Sequence, residues 1–160
     1  MKTEAEIKVA IETYGDMIRR ICFLHLKQYA DVEDIFQNVF FKYATKREAF
    51  DSAEHEKAWL IRVTINACHD FLGSWFKKKA VLTEDFSQFQ IDPHSDQGHL
   101  LDIVMTLSPK YRDIIYLYYY EGYKIVEIAA LLKKNENTIH TRLRRAKQEL
   151  KEKLGGDYFD

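Results

Sequence analysis

Between Lys133 and Lys147 the chain places six basic residues, Lys133, Lys134, Arg142, Arg144, Arg145 and Lys147, against one acid, Glu136. The overall charge of the chain is −1. So confined a basic patch suits a positioned contact with a polyanion, not a general coat. Asn137, Thr138, His140, Thr141 and Gln148 are interleaved with the cations. Asn and Gln can pair with adenine, Arg with guanine, and Thr with a thymine methyl or a phosphate. Helical spacing puts Asn137, His140, Thr141, Arg144 and Gln148 on one side and Ile139, Leu143, Ala146 and Leu150 on the other. Arg142, Arg145 and Lys147 flank the polar side and suit phosphates, which position without specifying.

Two further groups stand out in the first half. Asp34, Gln37, Asn38 and Phe41 fall opposite the apolar stripe Val32, Ile35, Phe36 and Val39. An exposed aromatic beside polar groups suits a helix-to-helix protein contact. Asp31, just before them, reads as an N-cap that also complements the helix dipole. Further on, Arg62, Asn66, His69, Asp70 and Gly73 share an outward stripe, continued by Lys77, Lys78 and Lys79. Here Asn66 can reach a base edge and Arg62 a phosphate. Trp59 and Trp75 suit base stacking or the core. No catalytic constellation occurs. Cys22 with His25 and Cys68 with His69 lack metal-site spacing, and there is no Gly-rich phosphate loop or nucleophile–base pair. No enzyme, cofactor or metal is expected.

The elements that must position these groups are helices. With 160 residues, two prolines and six glycines, there is too little turn punctuation for a sandwich or barrel. The fold class expected is all-α, with two small helical domains joined by a flexible acidic linker and a helix-turn-helix in the second. The boundaries are 1–78, 79–99 and 100–160. The first domain holds 12 basic and 12 acidic residues. Within it, Ile7, Ile11, Tyr14, Ile18 and Ile21 mark a first helix, a second starts at Asp31, and 45–54 is a loop. A long helix over 56–76 follows, buried along Leu60, Ile61, Thr64, Cys68, Phe71, Leu72 and Trp75. The linker has no basic residue between Ala80 and Pro109. Ser108-Pro109 starts a helix that ends at Gly122. A short helix over 124–132, a turn at Lys133-Lys134 capped by Asn135, and a last helix over 136–153 complete the pattern. No stretch is long and apolar enough to insert in a membrane, and the N-terminus lacks a secretion signal. Two cysteines give no disulfide framework. A reduced, cytoplasmic protein is the expectation.

Three stretches resemble one family. LSPKYRDIIYLYYYEGYKIVEIAALLKKNENTIHTRLRRAKQEL (107–150) is similar to the promoter-reading domain of bacterial RNA polymerase sigma factors. DVEDIFQNVFFKYA (31–44) resembles the family's polymerase-binding helix, and KAWLIRVTINACHDFL (57–72) resembles its −10-reading helix. Their order and spacing match the small extracytoplasmic-function (ECF) group. The resemblance implies a factor that binds core RNA polymerase and directs it to promoter DNA. It implies −35 contacts by Asn137, Thr138, His140, Thr141, Arg142, Arg144, Arg145 and Gln148. It implies −10 contacts by Arg62, Asn66, His69, Asp70, Lys77 and Lys78, with the loop 47–56 as the base-capture pocket. Polymerase contacts fall to Asp31, Asp34, Gln37, Asn38 and Phe41. An anti-sigma factor is a further implied partner. The linker is either a solvated tether or, by resemblance, an acidic thread through the polymerase's RNA path. Three positions depart from the family pattern: Lys133 stands where the turn usually has Gly, Ile65 where Arg is common, and Gly73 where a basic residue is common. Rival readings are a stand-alone helix-turn-helix regulator, which leaves 31–44 without a role, a nucleic-acid-processing enzyme, and an adaptor that binds polymerase but not DNA.

Overall fold

Among the described residues, helix starts and stops are written by a few polar side chains and two left-handed residues. The computed structural model describes residues 1–79 and 102–154, with side chains through Ser74 in the first stretch. All regular structure among these residues is helical. Contacts divide the chain into two units, Met1–Lys78 and Lys79–Asp160. No helix among the described residues is long and apolar enough to cross a membrane.

In the first unit, α1 spans Glu4–His25. Thr3 caps it, its hydroxyl accepting the Glu6 N–H at 3.1 Å. Its buried stripe is Ala10, Met17, Ile18, Ile21 and Cys22. Ile11, expected on that stripe, is 37% exposed. The buried side runs instead through Ala10 and Gly15, and a Cβ on Gly15 would sit in ordinary contact, 3.5 Å from the Phe36 ring of α2. α2 spans Tyr29–Thr45 and buries Val32, Ile35, Phe36, Val39, Phe40 and Tyr43. It begins earlier than expected, and Asp31 is not its cap. The Gln28 carbonyl already accepts the N–H groups of Asp31 and Val32, which places Asp31 inside the first turn, where its charge still favours the dipole. Arg19 of α1 ties the two helices. Its Nε donates to Glu33 Oε1 at 2.8 Å, and its guanidinium lies 3.9 Å from the Phe36 ring centre. That bond holds the Glu33 carboxyl below the usual carboxylate range and raises Arg19.

α3 spans Ala53–Lys79, and the loop before it is shorter than the sequence suggests. Ser52 explains the early start: its hydroxyl accepts the His55 N–H at 3.0 Å, an N-cap bond. Leu60, Ile61, Thr64, Ile65, Cys68 and Leu72 are buried, and Phe71 only half-buried. Thr64 is satisfied by donating to the Leu60 carbonyl at 2.7 Å. Ile65 is thus a core residue. The side chain of Trp75 lies outside the described residues, as do Phe86, Phe89 and Ile91 of the linker, whose residue types suit a short apolar contact.

The second unit opens with a helical turn, α4, at 102–105. α5, Pro109–Ile115, has Ser108 at its N-cap position, although the Ser108 side chain makes no cap bond. It runs on as a π-helical turn, Tyr116–Tyr120, closed by the Glu121 N–H on the Tyr116 carbonyl at 3.0 Å. Gly122, at φ +75°, ends it, as its type predicts. α6 spans Ile125–Leu132 and α7 Glu136–Leu154. Ile128, Ala129 and Leu131 of α6 and Ile139, Leu143, Ala146 and Leu150 of α7 are buried. Helical spacing from Ile128 and Ala129 puts Leu132 inward, but Leu131 is the buried leucine and Leu132 is half-buried. Lys133 adopts φ 56°, ψ 48°, a left-handed conformation that costs a non-glycine residue about 1–2 kcal/mol.

Arg112 of α5 is 3% exposed. Its Nε donates to the Leu107 carbonyl at 2.8 Å and its Nη2 to the Met105 carbonyl at 2.6 Å. Burial lowers its pKa to about 10. Removing the donors leaves two buried carbonyls short of partners. Arg112→Met should therefore cost about 1–3 kcal/mol, read as a lower urea midpoint by circular dichroism. Arg112→Lys should recover only part of it, since an ammonium lacks the planar fork.

Candidate nucleic-acid interface

α7 is positioned by its two ends of turn and by its apolar stripe. The turn is closed by the Lys133 and Lys134 N–H groups on the carbonyls of Ala130 and Ala129, at 3.3 and 2.9 Å. Asn135 then caps α7, its Oδ1 accepting the Thr138 N–H at 2.7 Å. With Ile139, Leu143, Ala146 and Leu150 buried, the opposite face must look outward. Asn137, His140, Arg144, Arg145 and Gln148 are exposed, while Thr138, Thr141 and Arg142 are half-buried. The structure therefore keeps all eight residues of the expected −35 set off the core.

They do not form one flat face. Two clefts with no lining residue in common lie beside α7. One, about 330 Å³, is lined by Lys110, Tyr111, Asn135, Thr138, Arg142 and Arg145, among others. The second, about 470 Å³, is lined by Tyr118, Ile125, His140, Arg144, Lys147 and Lys151, among others. Lys147 Nζ stands 5.4 and 5.7 Å from the ring centres of Tyr118 and Tyr119. Lys110, Tyr118 and Lys151 were not legible as part of this surface. Lys110 reaches it through the packing of α5 against α7 and Tyr118 through the approach of Lys147 to its ring, which no periodicity within α7 records, whereas Lys151 lies on α7 itself, beyond Lys147.

In the first unit, Asp34, Gln37, Asn38 and Phe41 share the exposed face of α2, with Phe41 70% exposed. Asp31 is half-buried beside them. On α3, Asn66, Asp70 and Gly73 are exposed, and Arg62 is half-buried. A side chain at Gly73 would meet open space. His69 departs from the outward stripe: its ring sits edge-on to the buried His25, centroids 5.3 Å apart. Lys77 and Lys78 continue the helix, but their side chains lie outside the described set. The loop before α3 is anchored by aromatic packing. Phe50 stacks on Tyr43 at 6.0 Å and meets Trp59 edge-on at 5.6 Å. Lys46 Nζ stands 4.7 Å from the Phe50 ring centre and donates to the Glu48 carbonyl at 2.9 Å. Trp59 is therefore engaged in packing. The Tyr43 hydroxyl donates to Glu56 Oε2 at 3.1 Å, and burial, with Glu56 adding to it, pushes its pKa up to about 12.

The faces of α2 give a direct test. Phe41→Ala should change stability by no more than about 0.5 kcal/mol, whereas Phe40→Ala, one position away in the core, should cost about 3–5 kcal/mol. Urea denaturation of both variants would check this. A large loss in Phe41→Ala would place that ring in the core.

Known proteins with similar sequences and folds agree with one another. The family description "Sigma-70 region 2" matches residues 10–75, and "Sigma-70, region 4" matches residues 98–150. The RNA polymerase sigma factor SigV of Bacillus subtilis is 29% identical over 147 residues, covering 90% of this chain and 88% of that protein. The ECF RNA polymerase sigma factor SigW of the same organism is 24% identical over 161 residues, covering 90% and 86%. Among solved structures, the sigma factor RpoE of Bartonella quintana, in complex with the anti-sigma factor NepR, superposes with a TM-score of 0.76. It is 21% identical, and the match covers 95% of this chain and 98% of that one.

Proposed function

The chain belongs to the sigma-70 family of RNA polymerase sigma factors, in its extracytoplasmic-function group, and we propose that it binds core RNA polymerase and reads both elements of a promoter subset. Sigma factors initiate transcription by binding and have no catalytic centre of their own. The observation that carries the finer reading is the segregation of α7, whose buried apolar stripe leaves Asn137, Arg144 and Gln148 exposed together. Those residues read the −35 element, with Thr138, His140 and Thr141 beside them and Arg142 and Arg145 on phosphates. Asn66, with Arg62 and Asp70, serves the −10 element, and Lys77 and Lys78 extend its basic track. His69 supports that helix through its contact with His25. The exposed α2 face, Asp34, Gln37, Asn38 and Phe41 with Asp31 at its edge, docks on the polymerase. The domains are 1–78 and 100–160, with 79–99 as their linker. RpoE of Bartonella quintana was solved with NepR and CnrH with the cytosolic domain of CnrY, which supports an anti-sigma partner for this chain as well. The site of action is the polymerase in the cell interior.

Arg144 and Arg142 separate reading from positioning. Arg144→Ala should lose about 1–3 kcal/mol and relax preference at one −35 base pair, as a bidentate base contact would. Arg142→Ala should weaken all sequences alike. Binding measured across −35 variants decides, and an unchanged preference in Arg144→Ala would overturn its base-reading role.

A second test separates a sigma factor from a stand-alone regulator. One short recognition helix gives few phosphate contacts, and these weaken as salt rises. Taking a −10 base out of the stack costs a few kcal/mol. Core polymerase solves both problems by holding the two domains at fixed spacing, so that the second contact becomes intramolecular. The free chain should bind promoter duplex weakly and melt none of it. With core enzyme it should bind tightly and expose −10 thymines to permanganate. Tight sequence-specific binding by the chain alone, unchanged by polymerase, would favour the regulator.

A further inference from the structure

We infer that Lys2 is a positioning residue for −10 opening: its ammonium, together with that of Lys46, grips the Phe50 ring and so holds the loop 47–52 at the head of α3. The inference rests on the −10 reading proposed for α3 and adds a residue from the stretch before α1.

The loop depends on one ring. Of residues 47–52, all but Phe50 are exposed. So exposed a stretch buries too little to keep one shape by itself. Phe50 supplies the anchor. Besides Tyr43 and Trp59, it meets His55 edge-on, with centroids 5.4 Å apart. His55 Nδ1 in turn accepts the Asp51 N–H at 3.1 Å. Ring, loop backbone and the first turn of α3 are therefore tied together. A shift of Phe50 shifts the entry into the helix that carries Arg62 and Asn66.

Two cations hold that ring from either side of the chain's path. Lys46, just past α2, is the first, and its side chain is only 13% exposed. Lys2 is the second. Its Nζ lies 5.0 Å from the Phe50 ring centre and 4.8 Å from that of Tyr43. Both distances fall within the roughly 6 Å over which a ring face attracts a cation. The Lys2 backbone is pinned as well. Its N–H donates to the Ala44 carbonyl at 3.0 Å, in the last turn of α2, where a helix leaves acceptors unfilled. The next residue, Thr3, is fixed as the cap of α1. The lysine stem thus starts from a set point and bridges the ends of α1 and α2 to the loop.

Such a bridge serves the site more than the fold. One partly exposed cation–π contact is small beside the stability of a helical unit. Its loss leaves the core of α1, α2 and α3 in place and frees the loop. A surface that receives an unstacked base gains from being held in shape beforehand, because ordering a loop on binding subtracts from affinity.

The test uses the full chain assembled with core polymerase on a promoter duplex, and reads opening as permanganate reactivity of the −10 thymines. Lys2→Gln should lower the ratio of open to closed complex about two- to fivefold, the worth of one exposed cation–π contact. Lys2→Arg should restore it, since a guanidinium also sits over aromatic faces. In Phe50→Leu, which keeps apolar bulk without the ring, Lys2→Gln should have no further effect. The slope of log affinity against log salt should be unchanged in Lys2→Gln, and the urea midpoint of the free variant should change little. Unchanged opening in Lys2→Gln, no recovery in Lys2→Arg, or an additive loss with Phe50→Leu would overturn the brace. So would a collapsed urea midpoint, which makes Lys2 a fold residue, or a slope lower by about one, which puts it on a phosphate. If Phe50→Leu does not fold, the Gln and Arg variants at Lys2 still decide. Asn66→Ala in the same assay keeps the readings apart. If it alters −10 base preference while Lys2→Gln does nothing, the brace falls and α3 still reads the −10 element. If the unmodified assembly opens no −10 DNA, both fall.

Discussion

The second unit turns on a guanidinium almost without access to water. Arg112 sits inside α5, yet it reaches back with two hydrogen bonds to carbonyls before Pro109, those of Leu107 and Met105. Those carbonyls belong to the end of α4 and the turn after it, where a helix leaves acceptors with no partner of its own. One side chain thus closes one helix and fixes the departure of the next. Burying a charge is costly, and burial does depress this group. The arrangement holds because two carbonyl dipoles replace the water that was lost. The direction of α5 follows from it, and with it the position of Lys110 and Tyr111 along the flank of α7.

The second constraint is the turn between α6 and α7. It is short, and one of its residues is a lysine in a left-handed conformation. The strain is offset locally. The cap bond of Asn135 contributes about 1 kcal/mol, and two backbone bonds close the end of α6. It is fixed globally by Ile128 and Ala129 meeting a unit core that includes Ile139 and Leu143. The crossing of the two helices is thereby set by packing, and glycine is not required to reach it. The exposed face of α7 inherits its direction from these buried contacts.

Much of this was legible in the sequence because helical periodicity is a strong signal. The stripes of α2 and α7, the Asn135 cap, the Gly122 stop and the Pro109 start all follow from residue type and spacing. What periodicity misses is anything set by a neighbour. Asp31 looked like a cap, but a backbone carbonyl at Gln28 starts the helix earlier. Ile11 belongs by spacing to the inward stripe, but the buried side of α1 runs through Ala10, Gly15 and Ile18 and leaves it exposed. His69 lies on an outward stripe by count and against His25 in space. The first cleft beside α7 needs α5 and the second needs Tyr118 of the π-helical turn, both of them well upstream in the chain. The π-helical turn has no signature in YLYYY that distinguishes it from an ordinary helix.

That turn carries one residue more than an α-helical turn would. The bond that closes it spans five residues, from the Glu121 N–H to the Tyr116 carbonyl, where an α-helix spans four. The run from Pro109 to Gly122 is therefore one residue longer than regular helix needs, and the surplus is absorbed without breaking either flank. Chain length at this point is decoupled from the facing of α5 and α6. The loss of one tyrosine would let the segment relax to regular helix, with its main effect on the rings beneath Lys147. The tyrosine run is thus a place where insertions and deletions can retune one wall of the second cleft while the helix-turn-helix keeps its register.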